Sequence, residues 1–165
     1  MNLFDFIERF PQENDCLEYF ISIRKKTGVV CRKCGSSNQI WLAATKQFEC
    51  KQCENRINIK SGTVMENSKL PIKYWFMAIH LLTSATETFT IAEIQKKLGC
   101  EDIEQVNEML ENLNRCLCKT GNSCSFDQLL FACVANQNRP TVSLEANQSS
   151  RLAKILFSIN QIASN

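Results

Sequence analysis

Val29-Val30-Cys31-Arg32-Lys33-Cys34-Gly35 and Cys50-Lys51-Gln52-Cys53, with fifteen residues between Cys34 and Cys50, decide how this chain is read. Two Cys-x-x-Cys pairs at that separation have the spacing of a tetrahedral four-thiolate zinc site. Each pair can turn tightly enough for both sulfurs to face one ion, and the intervening residues suffice for a hairpin that brings the chain back to the ion's other side. The result is a zinc ribbon. Residues 39–42 and 47–50 read as its two hairpin strands and 58–60 as a third. Gly35 supplies a permissive backbone beside the first pair, and Asn55 a weaker version after the second. Cys31, Cys34, Cys50 and Cys53 fill all four positions with protein ligands, so the single Zn2+ would be structural, with no place left for a reacting water. Arg32, Lys33 and Lys51 would partly offset its formal charge of minus two. Two disulfides, or four unrelated thiols, are the competing readings; the spacing favours the metal.

The chain has 165 residues, 44% of them hydrophobic, which is enough to bury a core. The opening residues mix apolar and acidic side chains and lack the pattern of a secretory signal. The longest apolar stretch, residues 70–82, is interrupted by Lys73 and is shorter than the ~20 residues a bilayer span needs. A cytoplasmic protein without a membrane partner is expected, and six of the ten cysteines then fall outside the zinc set as reduced thiols.

Net charge is only +2, but it is segregated. Residues 19–80 hold eleven Lys or Arg against Glu49, Glu54 and Glu66, whereas residues 1–18 and 100–118 are each acidic by four charges. A basic ribbon between acidic flanks is compatible with a phosphate backbone as partner. A basic but merely solvated surface is the bland alternative.

Around the ribbon the sequence reads as helical. Cys16, Leu17, Tyr19, Phe20 and Ile23 recur at helical spacing, predicting a helix that starts at Pro11, ends before Gly28 and packs on the ribbon. Ser61-Gly62-Thr63 makes a turn. Pro71 then opens a helix to about Thr83 that is apolar on nearly all sides, with Trp75 and Phe76 buried and His80 a satisfied core or boundary residue. Thr90-x-x-Glu93 is a capping box for a short helix, Ile91 to Leu98, closed by Gly99. Residues 102–119 form a longer helix with Ile103, Val106, Met109, Leu110, Leu113 and Leu117 as its buried stripe. A short helix, a glycine turn and a longer helix outline a helix-turn-helix. Beyond it, residues 126–135 and 141–146 read as strands and residues 149–163 as a last amphipathic helix.

In order along the chain stand Phe10-Pro11 with Cys16-Leu17, Cys31-x-x-Cys34-Gly35, Cys50-x-x-Cys53, Gly62-Thr63, Lys69-Leu70-Pro71, Trp75-Phe76 and Leu98-Gly99. On these residues, Phe10 to Leu117 resembles the N-terminal region of the zinc-ribbon insertion-sequence transposases. The resemblance implies a DNA-binding module. That family's catalytic part is an RNase-H-like domain with acidic metal ligands, whereas residues 120–165 here contain Asp127 and Glu145 as their only acids. Two-metal phosphoryl transfer needs a cluster of carboxylates, so no enzyme is expected. The helix that would enter a major groove carries Glu101, Asp102, Glu104, Glu108 and Glu111, which phosphates repel.

The fold class expected is α+β: a four-cysteine ribbon with a small antiparallel sheet, a helix-turn-helix-like unit and a short α/β tail. Its domains are an N-terminal helical segment at 1–28, the ribbon at 29–62, the helical unit at 63–119 and an extension at 120–165. The function expected is that of a non-catalytic, transposase-derived DNA-binding protein, a regulator or a truncated transposase, with Arg24, Lys25, Lys26, Arg32, Lys33, Lys51, Arg56 and Lys60 as the nucleic-acid contacts. The alternative is an adaptor that binds a protein through the acidic helix 102–119 or the C-terminal helix 149–163, with the ribbon only a staple. Cys116, Cys118 and Cys124, with Cys100 or Cys133, suggest a second metal site, but residues 116 and 118 lie about 200° apart on a helix and face opposite ways.

Overall fold

The structure, a computed structural model, describes residues 3–84, 89–120 and 125–135. Their order is α1 (Leu3–Arg9), α2 (Glu13–Thr27), β1 (Gln39–Leu42), β2 (Gln47–Cys50), β3 (Arg56–Asn58), α3 (Ile72–Ser84), α4 (Ile91–Leu98), α5 (Ile103–Thr120) and α6 (Phe126–Ala135). The α+β class and the ribbon-then-helices order are as the sequence implies.

The three strands form one antiparallel sheet in the order β1-β2-β3, with Trp41 opposite Phe48 and Phe48 opposite Ile57. Phe48 and Ile57 are buried, and the Trp41 ring lies 4.9 Å from that of Phe48, so one face of the hairpin closes on an aromatic pair. β3 falls at 56–58 and not 58–60. Pairing begins as soon as the second cysteine turn ends, where the Cys50 amide donates to Asn55 O at 3.0 Å. It stops at Asn58, whose Oδ1 accepts from the Lys60 amide at 2.9 Å and turns the chain away.

α3 is the spine of the helical part. Trp75, Phe76, Ala78 and Ile79 are fully buried, and Trp75 satisfies its indole N–H on Ser68 Oγ at 3.3 Å. Phe76 joins Phe10, Tyr19 and Phe126 in one aromatic cluster with ring separations from 5.0 to 6.2 Å. α2 lies chiefly against α3 and α6 and meets the ribbon at its C-terminal end, rather than packing on it along its length. It also caps α3 from outside: the Glu13 carboxylate accepts from the amides of Ile72 and Lys73 at 2.9 and 2.8 Å. A helix start leaves such amides without partners of its own. His80 is buried, stacked on Phe6 at 4.7 Å and bonded through Nδ1 to Ser84 Oγ at 3.0 Å.

α4 has the bounds and the reciprocal Thr90–Glu93 capping box read from sequence, and Gly99 closes it in the left-handed conformation at φ 66°. α5 buries Val106, Met109, Leu110, Leu113 and Leu117, but Ile103, at its first turn, is 47% exposed and stands outside the stripe. The strand expected over residues 126–135 is instead the helix α6. Phe126, Leu129, Leu130, Cys133 and Val134 are buried at helical spacing, and Ser125 and Gln128 cap each other's amides at 2.8 and 3.3 Å. The remaining expectations, a strand at 141–146 and a helix at 149–163, lie outside the described residues.

Candidate metal centre and the cations around it

The two Cys-x-x-Cys turns are built alike. Gly35 N donates to Cys31 O and Glu54 N to Cys50 O, both at 2.8 Å, while the amides of Cys31 and Cys50 reach Ser36 O and Asn55 O at 2.9 and 3.0 Å. Each turn needs a left-handed residue four places after its first cysteine. Gly35 takes that conformation at φ 72° and Glu54 at φ 58°, so the second permissive position is Glu54 and not the neighbouring Asn55.

This geometry brings the four thiol sulfurs to within 4.8 Å of one another, with Cys31 3.6 Å from Cys53 and Cys34 3.5 Å from Cys50. A tetrahedral zinc with Zn–S bonds of ~2.3 Å requires sulfurs ~3.8 Å apart, and the cluster fits that demand. The four cysteines can hold one zinc ion. None of these four is joined in a disulfide, so the disulfide alternative is not what the fold contains. Among the described residues, Cys100, Cys116 and Cys133 join no cluster with metal-ligand geometry. Cys118 and Cys124 fall outside the residues whose side chains are described.

Electrostatics at the cluster favour anionic sulfur at Cys50 and Cys31 and oppose it at Cys34. Burial works to raise the Cys50 thiol, but the amides of Gln52 and Cys53, with hydrogen bonds from Cys34 and Cys53, outweigh it and bring the thiol down to about 6. Cys31 is likewise held low against burial by the amides of Cys34 and Lys33. Cys34 accepts from the Ser36 amide, which favours its thiolate, yet burial and the three sulfurs beside it push it up to about 12. Four negative sulfurs repel one another until a dication sits among them. Asn55 Nδ2 adds a weak donor to Cys31 Sγ at 3.9 Å.

The eight cations proposed from sequence are not alike in place. Lys25 and Lys26 at the end of α2, Lys33 in the first cysteine turn and Lys51 in the second are exposed. Arg32 is also exposed but makes a two-pronged pair with Glu66 at 2.8 and 2.6 Å, and Arg56 reaches Glu49 at 3.4 Å. Lys60 is turned inward, its Nζ donating to Ser68 O and Leu70 O at 3.0 and 2.6 Å. Arg24 is only 4% exposed and donates through Nη2 to Ser61 O at 2.7 Å. The spacing of basic residues along a sequence carries no signal for such inward turns.

A ribbon of this geometry can hold one zinc ion through its four cysteines, and comparison with known proteins narrows its class. Residues 11–56 match the family described as the transposase zinc-ribbon domain. The chain is also 30% identical over 77 residues to a protein of Halobacterium salinarum described as an uncharacterized protein in transposable element ISH50. That match covers 45% of this chain and 26% of the relative, so the chain spans about a quarter of its length. No solved structure matches significantly. The resemblance read from the motifs over Phe10 to Leu117 is therefore found again over residues 11–56. Among the described residues, no helix is long and apolar enough to cross a membrane.

Proposed function

We propose that this chain binds DNA through its zinc ribbon and the cations around it, takes no catalytic part itself, and serves as a regulator or as the DNA-binding piece of a transposition system. The observation that carries this reading is the match of residues 11–56 to a transposase zinc ribbon, on which Lys25, Lys26, Lys33 and Lys51 stand exposed. Exposed lysines are suited to phosphates, to which they offer point charges without sequence readout. α5, by contrast, presents Glu101, Asp102, Glu104, Glu108 and Glu111 at or beside its outer face and is ill-suited to a major groove. The non-catalytic reading rests on residues 120–165 having Asp127 and Glu145 as their only acids, too few to cluster around two metal ions; the closed four-sulfur set adds only that a bound zinc would have no open position for a substrate.

The same acidic face favours the second reading, an adaptor that docks a basic protein on α5. A titration of a labelled duplex at two salt concentrations separates the two. DNA binding predicts that affinity falls with salt. Lys25→Ala, Lys33→Ala and Lys51→Ala together should lower the salt slope by ~0.9 for each phosphate no longer neutralised, with little change in sequence preference. Absence of salt-dependent binding to any duplex or single strand would overturn the DNA reading and leave the adaptor.

A further inference from the structure

Between the C-terminal end of α2, the two cysteine turns, β3 and the turn that follows it lies a groove of about 440 Å³. Arg24, Arg32 and Arg56 line it, and among the described residues Glu66 is the only acid in its walls. Three guanidinium groups from separate parts of the chain converge there against a single carboxylate.

Two of the three have partners that hold them at the groove. Glu66 grips Arg32 with both oxygens and also accepts from the Gly62 amide at 3.2 Å. Arg56 is held more loosely by Glu49. Arg24 is different. It is almost wholly buried, Ser61 O takes only its Nη2, and its Nε has no hydrogen-bond partner among the described residues. A buried charged donor without a partner is costly, because it has lost water and gained nothing in return. Burial accordingly lowers the Arg24 pKa, and Glu66 offsets only part of that.

We propose that this groove is a phosphate site, in which an anionic phosphate oxygen lies among Arg24, Arg32 and Arg56 and, once a shift of the Arg24 side chain uncovers its shielded Nε, satisfies that donor. The proposal rests on the DNA-binding reading for its natural ligand, a backbone phosphodiester, although free phosphate has the same recognition chemistry. Guanidinium forks match phosphate oxygens in pairs, and the three arginines offer an arrangement of donors that the exposed lysines lack. Glu66 is the internal competitor: it occupies Arg32 until a phosphate draws the guanidinium away.

The test is a titration of the zinc-loaded protein with inorganic phosphate and, separately, with a short labelled duplex, following the Arg24 Nε–H resonance and duplex affinity. The site predicts that both ligands shift that resonance. Arg56→Gln and Arg24→Lys, which keeps the charge but removes the Nε donor, each weaken binding on the order of tenfold. Glu66→Gln strengthens it more than Glu18→Gln, a charge-matched change on exposed α2 surface. Arg56→Gln removes an exposed side chain and keeps the test valid if Arg24→Lys does not fold. Duplex binding with an unmoved Arg24 resonance and with Glu66→Gln no different from Glu18→Gln would overturn the site while leaving the DNA reading standing. A shift with phosphate but no duplex binding would support the site, assign it to a free phosphate and sink the DNA reading. A silent resonance with both ligands would overturn the site.

Discussion

Glu54 occupies a backbone conformation that its counterpart Gly35 adopts without strain, since both lie four residues after the first cysteine of a turn and both have positive φ. A side chain there costs roughly 1–2 kcal/mol relative to an ordinary conformation. Glu54→Gly is therefore expected to stabilise the ribbon by up to about 1 kcal/mol, reduced by the extra freedom glycine has when unfolded. Gly35→Ala is expected to destabilise it by about 1 kcal/mol, and because an added Cβ would meet nothing within 4 Å, that cost is backbone strain alone. Thermal unfolding of the zinc-loaded variants checks both signs. At His80, burial holds the imidazole below its ordinary value of 6.5, with Asp5 pulling the other way. A histidine lowered on folding adds stability that is complete above pH 6.5 and is lost as pH falls towards the folded-state value. His80→Gln should flatten that part of the stability profile; an unchanged profile between pH 7 and about 5 would contradict it.

Glu13 shows how one helix can complete the start of another. Its carboxylate closes two amides at the start of α3 from the neighbouring helix α2, and Lys73 returns a bond from Nζ to Pro11 O at 2.7 Å. Glu13→Ala should cost about 1–2 kcal/mol in unfolding experiments, with Glu13→Gln recovering part of it; a neutral result would mean that water caps α3 equally well. This interaction is not legible in the sequence, because 59 residues separate the partners and only tertiary packing joins them. Local signals fare better. The Thr90–Glu93 box and Gly99 define α4 to the residue. The apolar run of α6 fits a buried strand as well as a helix, which is why periodicity alone points the wrong way there. Ser125-x-x-Gln128, the same kind of box, stands at its start and marks the helix. Spacing places Ile103 in the α5 stripe, but it belongs to the first turn, where the packed face has not begun.

At the scale of the whole molecule, the ribbon and the helices are joined by a few polar links around a continuous core. Arg32 ties the first cysteine turn to Glu66, Lys60 ties the end of the sheet to the approach to α3, and Val64 N donates to Cys133 O of α6 at 3.1 Å. The four cysteines that can hold zinc are readable because thiolate spacing is a local property; the arginine groove is not, because it depends on how α2 meets the ribbon. Since thiolates must be deprotonated to bind, zinc should be released as pH falls, and the sheet should lose its order with it. The most direct measurement is zinc K-edge X-ray absorption on purified protein, paired with metal analysis of the protein and of Cys31→Ser. One zinc per chain with four sulfurs at ~2.3 Å, lost or altered in Cys31→Ser together with ribbon stability, is the result expected. No bound zinc, a shell of nitrogen or oxygen, or a Cys31→Ser protein with unchanged metal and stability would contradict the centre on which the whole reading is built.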